Sequence, residues 1–336
     1  MVGRIVKKRY NLRDVAHHAG VSVATVSRVL NVPDKVAPPT RERVETAMNT
    51  LRFVPSAAAR AINSGRSRMV AALLPTLENS IYARVVDGLE NRLDAHGLSL
   101  IVAQTGDDPK VELDRAKRLI DIGAEGLIVA GITHDDSFYD LIDRAQIPVV
   151  AVSYFDRTHR LPTIGYDNWE ATHLAAQHLQ DLGHRHVAVV HGPLAQNDRT
   201  QRRRAALESG GFALTFDYFE VPISIAGACA AVERLCGESS RLTAILCFSD
   251  VLAMGALAEL HRQKVRVPRD MSVMGIEDLP GSARSYPRLT SVRLRVQEMG
   301  EEAAEALSAW VEHDRRPEPL HLASELIWRD STAKPR

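Results

Sequence analysis

Beyond residue 68 the chain alternates short unbroken apolar runs with amphipathic stretches. MVAALLP, LSLIVAQ, AEGLIVAG and IPVVAVS lack the polar alternation of a strand with one wet face, which predicts parallel strands buried on both sides. Helical periodicity fills the gaps near 80–96, 109–122 and 135–145. After TIGYD the series restarts with HVAVVHG, FDYFEVP, TAILCFS and MSVMGIED, separated by helices near 169–182, 224–236 and 250–263. Two successive open α/β sheets imply two lobes, each with its ligand-facing edge at the carboxyl ends of its strands. A cleft between such lobes is the natural small-molecule site.

The first fifty residues follow another rule. In LRDVAHHAGVSVATVSRVLN, residues 12–31, Leu12, Val15, Ala16 and Ala19 fall on one helical face. Gly20 permits a sharp turn, and Ser22 suits the N-cap of a second helix on which Val23, Val26, Val29 and Leu30 recur at three and four. Two short helices joined in this way form a helix-turn-helix, whose second helix enters the major groove of DNA. The small side chains of Ser22, Ala24, Thr25 and Ser27 let such a helix approach phosphates and base edges, while Arg28 reaches a guanine. Periodicity alone fits an αα-hairpin without any DNA role equally well. A third helix is predicted from Pro38, Pro39 and a cap-like Thr40, with Val44, Ala47, Met48 and Leu51 turned inward.

Charge shifts the balance. The chain of 336 residues is neutral overall, yet residues 1–68 hold thirteen Lys and Arg against four Asp and Glu, a charge of +9 that leaves −9 for the remainder. A basic head on an acidic body suits docking of one end on a polyanion. With 45% apolar and 25% charged residues the composition is that of globular domains. No apolar run approaches the roughly 20 residues of a bilayer span. The segment MVGRIVKKRY carries no apolar h-region behind it, which predicts a cytoplasmic chain without membrane association. Cys229, Cys236 and Cys247 have neither disulfide nor zinc-site spacing.

Three segments in order, LRDVAHHAGVSVATVSRVLN, VPDKVAPPTRERV and FVPSAAARAINSGRS, resemble the head of the lactose-repressor (LacI/GalR) family of bacterial transcription regulators, and the likeness continues through the chain. It implies a three-helix head over 1–54, a hinge helix and linker over 55–68, and a body over 69–336 resembling periplasmic sugar-binding proteins. Lobe 1 takes about 69–165 and 296–323, lobe 2 about 166–293 and 327–336, with crossovers near 165–168, 292–296 and 323–327. By position Pro55 to Ile62 is the hinge, which in the family folds on operator DNA and wedges a side chain into the minor groove. Ile62 stands where leucine is usual, and Ser56 where asparagine is. An ordinary interdomain linker also fits Ser64, Gly65 and Ser67, and both hold if the segment orders on binding. The DNA-facing set is therefore Ser22, Val23, Ala24, Thr25, Ser27 and Arg28 in the head, with Ala59, Arg60 and Ile62 in the hinge.

The same resemblance assigns the cleft. Asn79 and Tyr82, after the first strand, match an asparagine and an aromatic that face the effector, although Asn79 is equally suited to capping a helix. The segment GPLAQNDRTQRRRAALESGG matches the region of an effector-gripping arginine; one anchoring selects Arg202, the other Arg199. In CFSDVLAMGAL, Ser249 replaces asparagine and Asp250 is kept, and in GIEDLP Glu277 takes the first acidic position. Asp250 and Glu277 would accept hydrogen bonds from effector hydroxyl or amino groups, or else cap the helices that follow.

His184 and His186 lack a third ligand and are expected at the surface, and His17 and His18 toward solvent or phosphate. No nucleophile elbow, Walker A loop or dinucleotide fingerprint stands in a strand-turn-helix context, and Ser249 has no histidine base, so no enzyme and no cofactor are expected. The expected partners are double-stranded pseudo-palindromic operator DNA, a small effector such as a sugar, sugar acid or nucleoside, and a second copy of the chain. The end at STAKPR shows no leucine heptads, in keeping with a dimer. The competing readings are a cytoplasmic sugar-binding protein without specific DNA recognition and an enzyme built on the two-lobed body.

Overall fold

The computed structural model describes residues 10–54, 65–78, 80–237 and 241–336, and divides the chain into two compact units, 1–68 and 69–336.

The first unit is built from helices α1 (Leu12–Ala19), α2 (Val23–Asn31) and α3 (Pro38–Leu51), with a 3-10 turn at Pro33–Lys35. Asn11 caps α1 by accepting from the Arg13 and Asp14 amides, while the Asp14 carboxylate accepts from the Asn11 amide, so orphan amides at the helix start are met reciprocally. Gly20 closes α1 at φ 63, a left-handed conformation that glycine adopts without a Cβ penalty. Ser22 Oγ then accepts from the Thr25 amide and starts α2. Val15, Ala16 and Ala19 of α1, Val26 and Val29 of α2, and Val44 and Ala47 of α3 form the small core.

Two expectations for this unit need correction. Val23 does not join the apolar stripe of α2; it is 41% exposed, because the inward face begins one turn later at Val26. Thr40 does not cap α3, which starts at Pro38 after Ala37 with no side-chain cap, since Pro38 and Pro39 occupy the positions where missing amides cost nothing.

The second unit starts with β1 (Met69–Leu74), α4 (Ser80–Ala95), β2 (Ser99–Gln104), α5 (Pro109–Asp121), β3 (Ala124–Ala130), α6 (Asp136–Ala145), β4 (Val149–Val152) and β5 (Thr163–Gly165). These strands form one sheet. A second follows from α7 (Asn168–Asp181), β6 (His186–His191), α8 (Asp198–Ser209), β7 (Thr215–Glu220), α9 (Ile225–Gly237), β8 (Ala244–Cys247), α10 (Asp250–Arg262), β9 (Ser272–Glu277) and β10 (Thr290–Arg293). The chain returns to the first lobe as α11 (Val296–His313) and β11 (Leu320–His321), then ends on the second sheet as β12 (Glu325–Ile327). The sheet orders are β11-β5-β4-β3-β1-β2 and β12-β10-β9-β8-β6-β7, all pairings being parallel except that of β10 with β12.

The inner strands bear out the unbroken apolar runs, whereas LSLIVAQ and FDYFEVP become the edge strands β2 and β7 and are only partly buried. Val70, Ala72 and Leu74 of β1 face one core and Ala71 and Leu73 the other, so both faces of the strand are dry. Lobe 1 is closed by α4 packing on α11 so tightly that a Cβ at Gly88 or Gly300 would strike the backbone of the opposite helix. His184 corrects an expectation: it is buried, with its ring nitrogens bonded to Thr243 Oγ1 at 2.7 Å and the Ala333 carbonyl at 3.1 Å, tying the last residues to the second lobe. Overpacking the helix crossing with Gly88→Val should destabilise the second unit by about 1–3 kcal/mol, read as a drop of several degrees in the melting temperature, whereas valine at exposed Glu90 should leave it within about 1 degree.

Candidate functional site

In the head, Ser22, Val23, Ala24 and Arg28 are exposed on α2, Thr25 and Ser27 are half-buried beside them, and Val26 and Val29 point inward. The six candidates therefore share one outer face of a helix whose other face is anchored in the core. His17 and His18 are exposed as expected. Ala59, Arg60, Ile62 and Asn79 lie outside the described residues.

In the body, both sheets change winding direction beside their first strand, β1 in one and β6 in the other, and loops leaving the carboxyl ends there diverge to leave a crevice. A cavity with about 570 Å³ of unfilled space, its open mouth included, lies there between the lobes. Lobe 1 contributes Ile81 and Tyr82 from the start of α4 and Ser153 from the end of β4; lobe 2 contributes Asn197, Arg199, Thr200 and Arg203 around the start of α8, Phe248 and Ser249 after β8, and Glu277 at the end of β9. Helices α8 and α10 both begin here, capped by Asn197 and Ser249, so the positive ends of two helix dipoles converge on the cavity.

Three expected residues meet in this cleft: Tyr82, Arg199 and Glu277. Burial pushes the Tyr82 hydroxyl well above its ordinary range against the pull of Arg199, so it stays a neutral donor. Burial pulls the Arg199 guanidinium down, but Tyr82, Asp198 and Asp107 outweigh that and leave it above its ordinary value. Arg199 also crosses between lobes, donating to Asp107 Oδ1 at 2.8 Å and to Asp198 Oδ1 at 3.1 Å. Asp198 Oδ2 in turn accepts from the Ile132 and Thr133 amides of lobe 1 at 2.5 and 3.0 Å. Gly131, at φ 84, passes so close that a Cβ would collide with this pair.

Burial and the neighbouring Asp250 raise the Glu277 carboxyl to about 8, with Arg203 and the Asp250 amide opposing. Its backbone is held at φ 133, outside the regions side-chain-bearing residues favour.

Two expected residues are not in the cleft. Arg202 is half-exposed and lies 3.9 Å from Asp167; on α8 it stands about 100° round from the buried Arg203 and about 60° from Arg199, on the solvent side of both. Asp250 is fully buried behind the cleft floor, where its carboxylate accepts from Ser282 Oγ at 2.5 Å, Ser291 Oγ at 2.6 Å and the Leu279 amide at 2.8 Å. It fastens the loop after β9; the helix cap expected of it is supplied by Ser249 instead. Arg203 is a cleft residue that sequence reasoning missed. It is buried in the cleft wall, donating from Nε to Asn168 Oδ1 at 2.9 Å and from Nη1 to the Phe248 carbonyl. The signal is present: Arg199, Arg203, Ala206 and Leu207 stand at helical spacing, and the apolar pair marks the buried face.

An exposed small-sided helix on a helix-turn-helix unit, joined in one chain to a two-lobed body with an internal polar cleft, defines a ligand-binding DNA regulator. Residues 11–56 match the description "Bacterial regulatory proteins, lacI family" and residues 176–332 "Periplasmic binding protein-like domain". The transcriptional regulator GntR of Escherichia coli K12 is 30% identical over 90% of this chain and 92% of its own, and the transcriptional repressor PurR of Vibrio cholerae 29% identical over 95% and 97%. Among solved structures, the lac repressor dimer bound to operator and the anti-inducer ONPF superposes with a TM-score of 0.85 at 25% identity, covering 97% of this chain and all of that one. The chain belongs to the lacI family of bacterial regulatory proteins and is a DNA-binding transcriptional regulator. The relatives are regulators of transcription rather than enzymes.

Replacing Asp250 by alanine strands two buried hydroxyls and an amide without an acceptor, and should lower stability by about 2–4 kcal/mol. Thermal unfolding of the full chain checks this; Arg202→Ala, on the exposed face, should change stability by less than about 0.5 kcal/mol.

Proposed function

We propose that the protein is a repressor whose hold on operator DNA is set by a small polar metabolite bound between the lobes, and that it works as a binder without chemistry of its own. The observation that carries the DNA half is the outer face of α2: Ser22, Val23, Ala24, Thr25, Ser27 and Arg28 are presented together by a helix whose inner face is fixed by Val26 and Val29. The small residues admit close approach to the duplex, and Arg28 supplies a fork for a guanine edge. Ala59, Arg60 and Ile62 extend the reading to the minor groove on the strength of the resemblance alone. On this reading the domains are 1–54, 55–68 and 69–336, and two copies read the halves of a pseudo-palindromic site. The similar lac repressor is likewise a dimer when bound to operator. The cytoplasm is where such a protein meets its DNA; among the described residues no helix is long and apolar enough to cross a membrane.

The cleft carries the other half. Tyr82, Arg199 and Glu277 come from different lobes and share one cavity, so a bound molecule touches both lobes and is sensitive to their spacing. Arg199 joins that cavity directly to the interlobe contacts with Asp107 and Asp198, a short physical route from ligand to lobe geometry.

The test is fluorescence-anisotropy titration of the full chain on duplexes selected from a randomised pool. Arg28→Ala should weaken the selected site by about 1–3 kcal/mol, roughly five- to 150-fold, with unchanged melting temperature and little effect on random duplex. Equal affinity for selected and random duplexes would contradict the reading.

A further inference from the structure

The cleft contains two buried arginines that are treated differently. Arg199 is met by two carboxylates, Asp198 and Asp107. Arg203 lies on the same face one turn further on, with only 7% of its surface exposed, and its bonds go to neutral oxygens, Asn168 Oδ1 and the Phe248 carbonyl. No carboxylate among the described residues pairs with it, and its Nη2 donates to no described group. Burying a charge without a counter-ion is costly.

We infer that the molecule bound in the cleft is a small hydroxylated anion, a sugar acid or a phosphorylated sugar, whose oxyanion is received by Arg203. This rests on the reading of the cleft as the effector site and gives that site its ligand class. The guanidinium fork matches a carboxylate or phosphate edge. Ser153, Thr200 and Ser249 offer hydroxyls to a polyol, and Ile81, Ile223 and Phe248 cover its carbon stem.

Glu277 fits the same ligand. The groups around it are Arg203 from α8, Asp250 from α10, Tyr82 from α4 and Tyr166 after β5. With its carboxyl raised to about 8 by burial and Asp250, it is mostly protonated at pH 7 and donates a hydrogen bond instead of repelling an anion. Above that value it ionises and opposes the ligand. Anion affinity therefore falls as pH rises through the titration of Glu277.

Isothermal titration of the full chain with three- to six-carbon aldoses, the matching aldonates and the aldose phosphates separates the possibilities. An aldonate or an aldose phosphate should bind at least about tenfold more tightly than its neutral parent, and the arm that binds says whether carboxylate or phosphate is recognised. Arg203→Met should weaken the anion about ten- to 100-fold and so close most of its advantage over the neutral parent, while Arg203→Lys, which keeps the charge, recovers part of the loss. Wild-type affinity should drop about tenfold between pH 7 and 9, and Glu277→Gln should remove that dependence. A neutral parent bound as tightly as its anions, no anion bound at all, or binding indifferent to both Arg203 variants would overturn the proposal. Should an anion bind as described and leave operator affinity unmoved, the ligand class stands and the reading of the cleft as an effector site falls.

Discussion

The Asp198 carboxylate accepts two backbone amides across the cleft, and the body's two-lobed arrangement turns on that contact. It sits at the first residue of α8, so the helix dipole favours its charge where it takes the Ile132 and Thr133 amides. Arg199, next in the chain, extends the same link to Asp107. One helix end thus fixes how close the lobes stand, and Gly131 is glycine at the point where a side chain would force the pair apart. The chain crosses between the sheets after β5, after β10 and after β11. Beside these crossovers, α8 bridges the lobes through Asp198 and Arg199, and Asn168 of α7 adds a bond to the Ser153 carbonyl.

Cavity lining and interlobe contact share one helix. Arg199 faces both the cavity and the interlobe ion pair, while Arg203, one turn on, faces the cavity alone. A molecule held by this helix has different contacts in an open and a closed body, and only such a difference in contact free energy can shift a conformational equilibrium. Glu277 sits opposite on a strained backbone, locked by the Asp250 network beneath it. Asp250 holds the floor of the cavity in shape: its carboxylate accepts from Ser282 and Ser291 and its amide donates to Glu277, so the acid that lines the cavity is held by the acid that does not.

Much of this is legible in the chain. The two-faced apolar runs indicate parallel sheets because burial on both sides removes polar alternation, and Gly20 and Ser22 mark the turn of the head because each performs a local backbone task. What periodicity leaves open is orientation within a helix whose first seven residues are all polar. Arg199, Arg202, Arg203 and Arg204 are chemically alike, and only the buried Ala206 and Leu207 say which of them turn inward. Asp250 misleads for a related reason: an acid at a helix start reads as a ligand contact or a cap, and its true partners, Ser282 and Ser291, lie 32 and 41 residues away. His184 reads as a surface residue because its partners belong to a separate strand edge and the last residues of the chain. Long-range polar satisfaction has no local signature.

Hydrogen exchange at the amides of Ile132 and Thr133 bears on the central claim most directly. If α8 holds the lobes through Asp198, peptides covering residues 131–135 exchange slowly in the full chain, and Asp198→Ala speeds them about ten- to 100-fold while β3 keeps its protection. Fast exchange of that segment in the unaltered protein, or protection unchanged by the substitution, would contradict the account.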